Sequence, residues 1–298
     1  MVNYTQKLRK KEVISLIVKA IRTPTISIPS SNGYEPNEKG VPQGLSISNI
    51  LANIFLSNLD NKFAELLTCG YVRYVDDILI LCKKVDYSKI MDNIVYELDH
   101  YLKLKVSSEV EKTIHGEIAE GFTFLGYTKN AEGFTVRESS VNKFKDSLSQ
   151  LFTQFKYSKN RNLEILLWKV NLKVTGCINE GRKYGWLFFF SQINDTKLLF
   201  ELDWLVKKYF INAGFKKEYC TLKIKKFVKA HKEITLNLSG TSYIPIFDSF
   251  TFDEKKKLLI NIFKQDISGM KTEQIDWLFK KMIYISIKDL EKDIQPIS

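Results

Sequence analysis

The sequence predicts an α+β chain: a small antiparallel sheet carried on helices, then an all-α block, then a small C-terminal helical region. Three observations lead there. Strand-like runs concentrate before residue 138, chiefly YVRYVDDILILC at 71–82 and GFTFLGYTKNAEGFTV at 121–136. From Ser139 the apolar residues recur at helical spacing, as in Val141, Phe144, Leu148, Leu151, Phe152 and Phe155. The charge changes at the same place. Residues 46–137 hold 10 basic and 13 acidic side chains, whereas residues 143–232 hold 19 and 7. The expected divisions are 1–137, 138–232 and 233–298.

The elements follow in order. Residues 6–22 read as an amphipathic helix that ends at Thr23-Pro24, because the residue before proline avoids the helical region. PSSNGYEPNEKGVPQG, residues 29–44, is a loop. Ser46 or Ser48 is expected to cap a helix running to about Leu67, with Ile47, Ile50, Leu51, Ile54, Phe55, Leu59, Phe63 and Leu66 as its apolar residues. A hairpin is expected over 71–82 and a helix over 88–103, with Ile90, Ile94, Leu98 and Leu102 spaced by four. Residues 121–136 read as two short strands around an Asn-Ala-Glu-Gly turn. Beyond Ser139 only helices are expected, over 162–175, 197–211, 253–264 and 272–293, with one strand-like segment, SYIPIF.

Composition narrows the function. The 298 residues are 44% hydrophobic, enough to bury a core. The net charge of +11 suits an anionic partner, nucleic acid before membrane, and equally suits a basic protein with no polyanion to bind. Cys69, Cys82, Cys177 and Cys220 form no C-x-x-C pair, so a cysteine zinc site is not expected, and isolated thiols fit a reducing cytoplasm. No apolar run reaches the length of a membrane span, and Glu12 and Lys19 interrupt the one stretch that resembles a signal peptide.

Two segments carry chemistry. Asp76 and Asp77 sit side by side between two apolar runs. A tight hairpin turn usually uses Gly or Asn to reach positive φ. Adjacent like charges there are costly unless a cation joins them. The pair suits Mg²⁺, which takes one or two carboxylates plus substrate phosphates; it also suits a solvated acidic turn. GVPQG, residues 40–44, opens directly into a helix. Its glycines let a backbone approach a ligand, Pro42 stiffens it, and Gln43 offers a donor and an acceptor. It reads equally as an ordinary turn before a helix.

Taken in order, GVPQGLSISNILANIFLSNLD, RYVDDILIL, SSEVEKT and FTFLGY resemble bacterial reverse transcriptases, the branch shared by group II intron enzymes, retrons and defence-associated enzymes. The resemblance spans roughly residues 5–210. It implies a partial palm over 1–137, a basic helical thumb over 138–232 and a helical appendage over 233–298. It implies that Asp76 and Asp77 are catalytic and hold two Mg²⁺ ions, with Mn²⁺ as an alternative. Gln43 and Gly44 would lie near the incoming nucleotide and template, Lys112 near its triphosphate, and Tyr74 near the primer end. Phe124, Leu125, Gly126 and Tyr127 would form the primer-grip hairpin. The implied partners are an RNA template, a DNA primer and product, and dNTPs. NLKVTGCINEGRKYGWLFFF and the ending YIPIFDSF…LEKDIQPIS look most like the antiviral, defence-associated branch. Aromatic residues 184–190 beside Arg182 and Lys183 fit either a nucleic-acid clamp or, preferably, a buried aromatic core with a charged rim.

The pattern departs from that family at one point. A third carboxylate is expected on a strand upstream of the PQG loop, yet the acids before Gly44 are Glu12, Glu35 and Glu38, none in a strand context. The isolated chain is therefore expected to be catalytically incomplete: a fragment, one half of a split enzyme completed by a separate polypeptide, or a non-catalytic RNA-binding derivative such as a maturase-like splicing or assembly factor.

Overall fold

The computed structural model describes residues 10–24, 40–42, 44–108 and 113–294. They fall into two compact units, one ending at His115 and the other beginning at Gly116.

In the first unit, α1 (Lys11–Ile21) stops just before Thr23-Pro24, as the proline rule requires. Helix α2 (Ser48–Ala64) is shorter than its apolar pattern suggests and buries Leu51, Leu56, Leu59 and Phe63. Ile50 and Ile54 of the expected stripe lie exposed. Neither Ser46 nor Ser48 caps it: the cap position is Ile47, and the Ser48 hydroxyl instead donates to the Pro42 carbonyl at 2.6 Å. Strands β1 (Cys69–Tyr74) and β2 (Asp77–Cys82) pair antiparallel, Tyr74 opposite Asp77 and Cys69 opposite Cys82. Helix α3 (Tyr87–Tyr96) widens into a π turn over Glu97–Tyr101, and Ile90, Ile94 and Leu98 are all buried at their expected spacing. The core lies between the helices and one hairpin face, where Tyr71, Ile78 and Ile80 pack on α2 and α3. Phe63 is fully buried and stacks on Tyr71 with ring centroids 5.6 Å apart. Burial of each such side chain contributes roughly 1.5–3 kcal/mol.

The second unit opens with three strands, not two: β3 (Phe122–Phe124), β4 (Tyr127–Asn130) and β5 (Gly133–Val136), ordered β3-β4-β5. The extra turn is Leu125-Gly126, where both residues have positive φ (51° and 83°), as a tight two-residue hairpin turn demands. The expected Asn-Ala-Glu-Gly turn forms as well, with the Asn130 side chain accepting from the Glu132 and Gly133 amides. The sheet is tied to the start of helix α7 (Thr196–Asn212), since Asp195 both caps that helix at Leu198 and accepts from the Thr135 hydroxyl at 2.6 Å.

Helices α4 (Glu138–Tyr157) and α5 (Leu163–Thr175) follow. The helices-only expectation then fails: β6 (Cys177–Asn179) and β7 (Arg182–Tyr184) form a small hairpin. Its turn amides at Glu180 and Gly181 donate to the Asp248 carboxylate, an anchor 68 and 67 residues away that no local pattern reveals. SYIPIF is not a strand; it makes one isolated parallel bridge, Ile178 to Ile246. Short helix α6 (Trp186–Phe189), α7 and α8 (Phe227–Leu236) complete the main core around Phe144, Leu148, Trp186, Leu202, Phe210 and Phe227. The preferred reading of residues 184–190 is borne out: Trp186, Leu187, Phe188 and Phe190 are buried, while Phe189 is exposed. Helices α9 (Phe252–Asn261) and α10 (Thr272–Glu291) share a second cluster with Leu172 of α5 and Cys177 of β6. The last block is thus packed onto the helical body and is not a loose tail.

Candidate active site

The two aspartates stand at the tip of the β1–β2 hairpin. Tyr74 and Asp77 are paired ends of the strands, so Val75 and Asp76 alone make the turn. Val75 takes φ +56°, a region that costs a β-branched residue strain of about 1–3 kcal/mol. The sequence shows why this is unusual: glycine, the residue suited to that position, is absent. Asp76 and Asp77 are both exposed.

Period-two alternation divides the hairpin into two faces. Val72 and Tyr74, with Asp77 opposite, lie on the outer face, and Tyr74 is 61% exposed. Tyr71 and Arg73 point inward toward α2. Arg73 is a charged residue at a position the alternation assigns to the core, and four hydrogen bonds engage its guanidinium. Its Nε donates to Asp60 Oδ1 at 2.7 Å and its Nη2 to Asp60 Oδ2 at 2.5 Å, a bidentate fork. Its Nη1 donates to the Val75 carbonyl at 2.5 Å and to Asn53 Oδ1 at 3.1 Å. The Tyr71 hydroxyl also donates to Asp60 Oδ1, at 2.9 Å. The Arg73 hydrogen bonds hold the Asp60 carboxyl below its ordinary range, against the opposing effect of burial. Burial, and then the Asp60 carboxylate, push the Tyr71 phenol well above its ordinary value. Neither Arg73 nor Asp60 was expected as a site residue. The available signal was a lone arginine on the buried parity of a strand, which requires a carboxylate nearby.

Of the loop preceding α2, Gly40 and Gly44 have positive φ (79° and 83°) and Pro42 is buried. The Ser48–Pro42 bond ties that loop to the first turn of α2. Gln43 and Lys112 lie outside the described residues. Phe124, Leu125, Gly126 and Tyr127 belong to the second unit, where Leu125-Gly126 is the turn itself. Tyr127 stacks edge-on to Phe190 and donates to the Phe189 carbonyl at 2.6 Å, so this hairpin is fixed to the helical body.

Chemically, the tip presents two adjacent carboxylates to solvent, a donor pair suited to a hard cation that completes its shell with water or phosphate oxygens. Among the described residues no group of three or more His, Cys, Asp or Glu side chains is placed to hold a metal ion. The donor set fits a site that substrate must complete. No helix of the described residues is long and apolar enough to cross a membrane.

Residues 3–129 match the family model described as reverse transcriptase (RNA-dependent DNA polymerase). No curated protein matches the chain. The likeness to reverse transcriptases is confined to that segment, which is under half of the chain and contains the β1–β2 hairpin.

Proposed function

We propose that the chain is the partial palm and the thumb of an RNA-directed DNA polymerase. The carrying observation is that Tyr74, Asp76 and Asp77 gather at one exposed hairpin tip within the segment matching reverse transcriptases. In this reading the primer 3′ hydroxyl attacks the α-phosphorus of a dNTP; the new O–P bond forms as the bond to pyrophosphate breaks. Asp76 and Asp77 would hold Mg²⁺, which when bound stabilises charge on the attacking and leaving oxygens. Tyr74, on the same face as Asp77, would pack against the primer end. Gln43, Gly44 and Lys112 would attend the incoming nucleotide, and Phe124–Tyr127 would grip the primer. The helices of residues 138–232 would track the duplex through its phosphates without reading bases.

In this reading a separate polypeptide would supply the third carboxylate of a two-metal site. The role closest to residues 171–190 and the C-terminal block is antiviral defence in the cytoplasm. A second reading, RNA binding without chemistry, is favoured by the 19 basic against 7 acidic side chains of residues 143–232.

The two readings separate in one experiment. The tagged chain is isolated from its native cells with whatever accompanies it, then assayed for RNA-templated dNTP incorporation and for RNA binding across a salt series. The polymerase reading expects incorporation that Asp76→Ala plus Asp77→Ala abolishes while salt-dependent RNA binding persists. RNA binding with no incorporation, or incorporation indifferent to both substitutions, overturns it.

A further inference from the structure

We infer that Arg73 is a positioning residue for the metal-binding carboxylates: by bonding the Val75 carbonyl while locked to Asp60, it holds the hairpin tip in the backbone conformation that presents Asp76 and Asp77 together. The inference rests on the polymerase reading of that tip.

Val75 occupies a left-handed conformation that a β-branched residue leaves unless something holds it. The turn has only two residues, so little of the hairpin's own pairing acts on the Val75 carbonyl. Arg73 supplies that restraint, with Nη1 2.5 Å from the Val75 oxygen. An arginine two residues away could reach the same atom and still swing. This one cannot, because its other two nitrogens are bound to both oxygens of Asp60 and its side chain is only 6% exposed. Asp60 in turn sits on α2, beside the buried Leu59. The path is continuous: a packed helix, a fixed carboxylate, a planar fork, and the carbonyl immediately before Asp76. A guanidinium is required, since four acceptor atoms on three residues exceed the three N–H donors that a lysine ammonium carries on its flexible stem.

Charge alone predicts the opposite behaviour. A cation close to the tip repels a divalent ion, so its removal would tighten metal binding. The clamp predicts that removal loosens it, and the sign of the effect decides.

The test measures Mn²⁺ affinity of the full chain by electron paramagnetic resonance, with thermal melting as the check on folding. Asp76→Ala plus Asp77→Ala should remove the bound ion. Arg73→Gln and Asp60→Asn should each weaken Mn²⁺ binding by roughly tenfold, as expected when a strained turn is released. Arg73→Lys should not restore it. Val75→Gly in the Arg73→Gln background should, because glycine adopts positive φ without help. Unchanged or tighter binding in Arg73→Gln and Asp60→Asn overturns the clamp while leaving the metal reading intact. Binding that survives the double aspartate substitution overturns the metal reading and the clamp with it. Should Arg73→Gln melt below the assay temperature, the comparison moves to the Val75→Gly background, where the clamp requires that removing Arg73 no longer weakens binding and a weakening refutes it.

Discussion

Lys173 and Asp293, 120 residues apart, form a 2.6 Å ion pair with both side chains 3% exposed. One stands on α5 in the helical body and the other just beyond α10, so the bond fastens the last helix to the core. Asp289 lies 3.7 Å from the same ammonium and is largely exposed. Burial holds the Asp293 carboxyl above its ordinary range even though Lys173 opposes that shift.

A buried pair of this kind is costly to halve and cheap to replace. Lys173→Met leaves Asp293 without its cation and should lower the unfolding free energy by about 3–5 kcal/mol. Lys173→Met combined with Asp293→Leu should recover most of that loss. Urea denaturation of the three proteins provides the measurement. A single variant as stable as the wild type would show that the pair does not anchor α10.

Trp186 makes a different point about buried polarity. It is 1% exposed and stacks on Phe144 at 4.6 Å, yet its indole nitrogen has no hydrogen-bond partner. Trp186→Phe keeps much of the stacked area and removes an unpaired donor, two effects of opposite sign. The net change should stay within about 1 kcal/mol, whereas Trp186→Ala should cost about 3–5 kcal/mol. Thermal melts of both variants check this, and a large loss in Trp186→Phe would mean that the nitrogen has a partner in solution.

The Asp60 cluster gives the hairpin an acid limit. The folded Asp60 carboxyl titrates below its free value, so its stabilisation is complete above the unfolded pKa and fades as pH falls through the folded one. Amide exchange within residues 69–82 should therefore accelerate, relative to the second unit, once the pH drops below about 4. Asp60→Asn should flatten that dependence and raise exchange at neutral pH. On the alkaline side the Tyr71 phenol, titrating above a free tyrosine, should still be protonated when solvent-exposed tyrosines ionise. Hairpin exchange that keeps a constant ratio to that of the second unit from pH 6 to pH 2 would exclude a role for Asp60.

Where an element depends on its own residues, the sequence was legible. The hairpin, expected over 71–82 and found over 69–82, follows from two short apolar runs rich in β-branched and aromatic residues, and Ile90, Ile94 and Leu98 reach the core at their four-residue spacing even though the helix changes to a π turn on the way. The aromatic run at 184–190 announces a buried core by its hydrophobicity. The misses share a cause. Leu125-Gly126 lies inside an apolar string and shows as a turn only through its φ angles. The β6–β7 hairpin depends on Asp248, far along the chain. Ser48 has the right identity for a cap but finds the Pro42 carbonyl instead.

The candidate site divides the same way. Paired aspartates on a β-hairpin, with Tyr74 beside them, are properties of a dozen consecutive residues, and the sequence alone determined them. That Arg73 turns inward with Tyr71 was decided by which face of the hairpin packs on α2. Its capture by Asp60, and through it the restraint on Val75, was decided only when α2 packed against β1, because ion-pair geometry depends on distances in space that thirteen residues of intervening chain leave open.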